Sequence, residues 1–146
     1  MKKRYKQDGK LIKRIDFGKI LPMSRYAGGH DEQMKGLLKN VRLIAHWNEG
    51  DYQGSVATCV KLKDTKEIVI YDDYYGSCSG CDAWQDASDE DVKRMCIQLA
   101  GKAYIFKNLK DCKEFLKMRH QPEESFYDNI RIGLLNEMNR KSKEIK

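Results

Sequence analysis

Three runs of β-forming residues follow one another with almost no chain between them, and this spacing limits the possible folds more than any other feature. Val41 to Trp47 alternates Val41, Leu43, Ala45 and Trp47 with Arg42, Ile44 and His46. Ser55 to Leu62 alternates Val56, Thr58, Val60 and Leu62 with Ala57, Cys59 and Lys61. Glu67 to Tyr71 is dense in β-branched residues. A period of two is the pattern of a strand whose two faces meet different surroundings. The links between the runs, Glu49-Gly50-Asp51 and Lys63-Asp64-Thr65-Lys66, are turn chemistry. They are too short for the crossover that parallel neighbours need, so the runs predict an antiparallel meander.

The helices come later. Ser88 with Asp91 resembles a capping box, and Val92, Met95, Cys96 and Leu99 follow at helical spacing before Gly101. Ala103 to Phe106 reads as a short fourth strand. Asn108 with Asp111 repeats the capping logic ahead of Leu109, Cys112, Phe115 and Leu116. Pro122 suits the first turn of a further helix. On that helix Phe126, Ile130, Leu134 and Met138 form an i, i+4 stripe, widened by Tyr127 and Leu135. The expected class is α+β: a small antiparallel sheet of three or four strands packed against C-terminal helices. At 146 residues, with no internal repeat or linker, residues 1–146 read as a single domain. Residues 1–30 are the least legible. Leu11 to Ile15 reads as a short edge strand or docked segment, and Pro22 and Gly28-Gly29 break any long element.

Charge is distributed unevenly. The formal net charge is +6, and residues 1–14, with seven Lys and Arg against Asp8 alone, account for all of it. Residues 72–91 run the other way, with Asp72, Asp73, Asp82, Asp86, Asp89, Glu90 and Asp91 and no Lys or Arg. A basic arm favours phosphate backbones or acidic proteins. Lys2, Lys3, Arg4 and Lys6 are its candidate nucleic-acid contacts. The plain alternative is a solvated terminus that aids solubility. No apolar run reaches the roughly 20 residues of a membrane span, and no secretory signal is visible, so a cytoplasmic protein with no membrane partner is expected.

The densest chemistry lies between Tyr71 and Trp84, where Cys78 and Cys81 sit in a Gly/Ser turn among carboxylates and aromatics. Three readings stand. Cys78 and Cys81 have the spacing of half a structural zinc site, but no second close pair completes four ligands. Cys-x-x-Cys between a strand and a helix is also the dithiol redox arrangement, although carboxylates nearby would raise the thiol pKa and Ser79-Gly80 stand between the cysteines. The third reading is structural: the glycines and serines make a compact turn, and the loop becomes an aromatic-rimmed acidic surface. On that reading Asp72, Asp73, Tyr74, Tyr75 and Trp84 contact a partner and no residue is catalytic. No cofactor is then needed; zinc on Cys78 and Cys81 is the alternative. His46-Trp47 reads as a satisfied sheet position rather than a catalytic dyad, and Gly28-Gly29-His30 lacks the Lys-Ser/Thr of a phosphate loop.

From about Ile70 to Leu116 the chain resembles small uncharacterised proteins carried by phages and other mobile elements. The likeness rests on an aromatic-rich strand, then Tyr75-Gly76-Ser77-Cys78-Ser79-Gly80-Cys81-Asp82, then two short helices. It implies an accessory protein that binds and inhibits a host protein or nucleoprotein, as anti-defence and anti-CRISPR inhibitors do, and it carries over no catalytic residue. The expectation is therefore a non-enzymatic inhibitor. A nucleic-acid-binding module using the basic arm is the first alternative, and a zinc or dithiol redox protein the second. A homodimer is possible through an exposed sheet edge.

Overall fold

The structure, a computed structural model, describes residues 6–7, 41–50, 54–75, 94, 98, 103–120 and 126–144. Its strands are β1 (Lys6–Gln7), β2 (Val41–Asn48), β3 (Gly54–Leu62), β4 (Ile68–Tyr75) and β5 (Tyr104–Phe106). Two helices follow, α1 (Leu109–Lys117) and α2 (Asp128–Glu144). The strands form one sheet in the order β1-β5-β4-β3-β2, with every pairing antiparallel. The α+β class, the meander and the C-terminal helices are as the sequence predicts. The added strand, β1, lies within the basic N-terminal segment. The edge strand expected over Leu11 to Ile15 lies outside the described residues, as do Pro22 and Gly28-Gly29. In the segment expected to be helical after Ser88, Arg94 and Gln98 have helical backbone.

The register explains the core. Ala45, Cys59, Ile70 and Tyr104 stand side by side across four strands, and Ile68 pairs with Phe106 in a neighbouring row. Paired residues of antiparallel strands project to the same face. The helices cover this face. From α1 come Cys112, Phe115 and Leu116; from α2 come Ile130, Leu134 and Met138, with Phe126 just ahead of it. Phe115 is the hinge of an aromatic cluster, with ring centroids 4.9 Å from Tyr104, 5.3 Å from Phe106 and 6.2 Å from Phe126. The opposite face is closed too: Val56, Thr58, Val60, Val69 and Tyr71 are all buried. Both phases of β3 carry small or branched residues, so the strand fits a sheet buried on both sides.

Four local expectations change. The link between Leu43 and Ala45 is a β-bulge, so Arg42 falls in phase with Ala45 and Trp47 rather than opposite to them. Strand β4 runs on to Tyr75, so Asp72, Asp73 and Tyr74 belong to a strand and not to a loop. Helix α2 begins at Asp128, and Phe126 and Tyr127 precede it in non-helical backbone; Pro122 lies outside the described residues. The cause is visible at Arg131, whose Nε donates to the Phe126 carbonyl at 2.7 Å, a bond made outside the helical ladder. Tyr127 therefore does not widen the apolar stripe. It is 57% exposed and its ring lies 4.6 Å from that of His120.

The helix termini follow the sequence closely. Asn108 accepts a hydrogen bond from the Asp111 amide at 2.8 Å, capping α1. At the other end the Met118 amide donates to the Phe115 carbonyl. The Arg131 guanidinium, 1% exposed, donates from Nη1 to the carbonyls of Phe115 and Met118 and lies 4.1 Å above the Phe115 ring. One buried cation thus ties the C-terminus of α1 to the start of α2, where α1's dipole is negative.

Candidate functional site, a basic cleft at one end of the sheet

The start of β2, the end of β3, the start of β4 and the end of β5 all lie at the same end of the sheet, as an antiparallel meander requires. The N-terminus of α1 and the last turns of α2 lie over that end. Between them is a cleft of about 450 Å³. Its floor and walls are apolar: Leu43, Ile44, Ile68, Leu109 and Met138. Among the described residues five cations line it, Arg42, Lys61, Lys66, Lys107 and Lys141, and no carboxylate does.

Each cation arrives for a different structural reason. Lys61 occupies the helix-side phase of β3, after Ala57 and Cys59, where a buried sheet would ordinarily continue with an apolar residue. The bulge in β2 sets Arg42 directly opposite Lys61. Like charges directly opposite on neighbouring strands are destabilising. Lys66 closes the β3–β4 hairpin with φ of 66°, the left-handed region that favours glycine. Its amide donates to the Leu62 carbonyl at 2.9 Å and fixes that conformation. A non-glycine residue held there costs on the order of 1 kcal/mol. Lys107 follows β5 directly, and Lys141 lies three residues beyond Met138 on the same helix.

None of these five side chains forms an ion pair among the described residues. Glu137, about one turn before Lys141 on α2, is engaged by Arg140 at 2.7 Å. Its hydrogen bond to Arg140 holds the Glu137 carboxyl below the usual carboxylate range, with smaller contributions from Arg140, Lys141 and His46 charges, against partial desolvation. Among the described residues the cleft is therefore a concentration of positive charge beside an apolar lining. Such a surface attracts anions whose other parts are flat or apolar.

The residues singled out in the sequence are placed elsewhere. Tyr74 is 54% exposed, whereas Asp72 and Asp73 are half-buried on opposite faces of β4. Tyr75 ends β4. Trp84, Cys78 and Cys81 lie outside the described residues, as do Lys2, Lys3 and Arg4. Lys6 is in β1, opposite Ile105. Because β1 is antiparallel to β5, the end of β1 nearer the chain's start lies beside the end of β5 that leads to Lys107 and the cleft. His46 is a satisfied sheet position, with Nδ1 2.9 Å from the Thr58 hydroxyl. Among the described residues no group of three or more His, Cys, Asp or Glu could hold a metal ion, and no helix is long and apolar enough to cross a membrane.

None of the five cleft cations stands out in the linear sequence, because they are spread from position 42 to 141, and Lys66 is directly followed by Glu67. The one available signal was Lys61, a lysine in the inward phase of a strand. Comparison with protein-family models, with curated proteins and with solved structures finds no match to this chain.

Proposed function

We propose that this chain is a non-enzymatic binding protein whose ligand is nucleic acid, free or within a nucleoprotein. The observation that carries the reading is the convergence of Arg42, Lys61, Lys66, Lys107 and Lys141 on one cleft with no carboxylate among the described residues of its lining. Folding alone gives no reason for this arrangement: Arg42 and Lys61 repel, and Lys66 sits in a conformation that glycine would adopt more cheaply. Phosphates supply the missing countercharge, and their binding releases the condensed cations of the polymer. The excess of Lys and Arg over residues 1–14, with Lys6 paired to Ile105 near the cleft end of β5, supports a polymeric ligand over an isolated phosphate. The binding role is the sequence's first alternative, relocated from the arm to a folded site.

The test is fluorescence anisotropy of a labelled oligonucleotide against the protein and its Lys61→Glu, Lys107→Glu variant. The variant should bind at least tenfold more weakly while keeping the thermal unfolding of the parent. Equal affinity overturns the reading. The exposed ring of Tyr74 favours a second reading, docking on a host protein as an inhibitor would. Tyr74→Ala should then weaken capture of that protein and leave the oligonucleotide affinity unchanged.

A further inference from the structure

We infer that the cleft takes single-stranded nucleic acid, with an unstacked base seated on its aliphatic floor. The inference rests on the nucleic-acid reading and specifies which form is bound. Cations alone would serve a duplex equally well, since a duplex presents phosphates along its outside. What a duplex does not present is an apolar face: its bases are stacked on one another and only their edges reach the grooves. Here Ile44, Ile68, Leu109 and Met138 line the same cleft as the five cations. A duplex lying across the rim would leave that apolar surface in water. A single strand can turn one base inward, covering the floor with its π-face while neighbouring phosphates meet Arg42, Lys61, Lys66, Lys107 and Lys141.

Size agrees. About 450 Å³ lies within the range of sites that enclose a small organic group, roughly 300–1,000 Å³, and is too small to admit a duplex. Among the described lining residues the one amide, Asn108, has its side-chain oxygen engaged by the Asp111 amide, so the apolar lining distinguishes bases by area rather than by edge. Binding should follow stacking strength, purines above pyrimidines, with little dependence on sequence order.

The experiment uses the full chain, with a labelled 12-residue single strand, the matched duplex, and an Ile44→Ser variant whose thermal unfolding is checked against the parent. The single strand should bind at least tenfold tighter than the duplex at equal salt. Ile44→Ser, folded, should weaken single-strand binding about fivefold, as expected for losing part of a base contact, and change duplex binding far less. Equal affinity for the two forms, or a folded Ile44→Ser variant that binds the single strand like the parent, overturns the base-seating inference while the phosphate-binding reading stands. Failure of both forms to bind, at any salt, overturns both.

Discussion

The indole of Trp47 lies flat against Gly133, so close that a Cβ at position 133 would sit 2.2 Å from the indole Cε2. It is one of the contacts that bind edge strand β2 to α2, beside the packing of Ile44 and Ala45 in the same core. Glycine inside a helix ordinarily costs about 1 kcal/mol relative to alanine. Here that cost admits an aromatic ring. Gly133→Ala should therefore destabilise the fold by about 1–3 kcal/mol despite the gain in helix propensity. Urea unfolding measures it, and a stabilised variant would contradict the packing.

Arg131 holds the two helices together through backbone carbonyls and the Phe115 ring. Arg131→Met should cost about 3 kcal/mol or more, because it leaves carbonyls at the end of α1 without their donor in a buried site. Arg131→Lys should not rescue it, since a point charge cannot reach Phe126 and Phe115 with one planar fork. Thermal unfolding of the two variants checks both statements.

Cys59 on β3 and Cys112 on α1 are both fully buried, free thiols. A hydrogen bond with Cys112 and burial push the Cys59 thiol well above its ordinary pKa, with a smaller opposing effect of Lys113. A group whose folded pKa is raised stabilises the fold fully below its unfolded pKa and less as pH rises past it. Stability should therefore decline above the ordinary thiol range, and Cys59→Ala should flatten that decline. In the native state a thiol reagent should modify Cys59 and Cys112 only at the rate of unfolding.

Lys66 separates folding from function most cleanly. Lys66→Gly relieves the left-handed strain and should leave stability unchanged or raise it by about 1 kcal/mol. The same change removes one cation from the cleft and should weaken nucleic-acid binding severalfold. A variant that is both less stable and equally tight would contradict the role assigned to this residue.

The meander, the Asn108 cap and the Phe126–Ile130–Leu134–Met138 stripe were legible because each depends on local period or local hydrogen bonding. The phase of Arg42 was not, because a single bulge between Leu43 and Ala45 reverses it and no residue there announces a bulge. The start of α2 was misplaced because Arg131, five residues along, takes the Phe126 carbonyl. The cleft was invisible for a related reason. Its cations come from four strands or strand ends and from α2, and only the register brings them together.

The central claim is that the cleft binds phosphates, and salt dependence measures this directly. For a single strand, each neutralised phosphate contributes about 0.7 to the slope of log affinity against log salt. If Lys61 and Lys107 each contact one phosphate, replacing both with Gln should lower the magnitude of that slope by about 1.4, as well as the affinity at any one salt concentration. An unchanged slope with unchanged affinity would contradict the account.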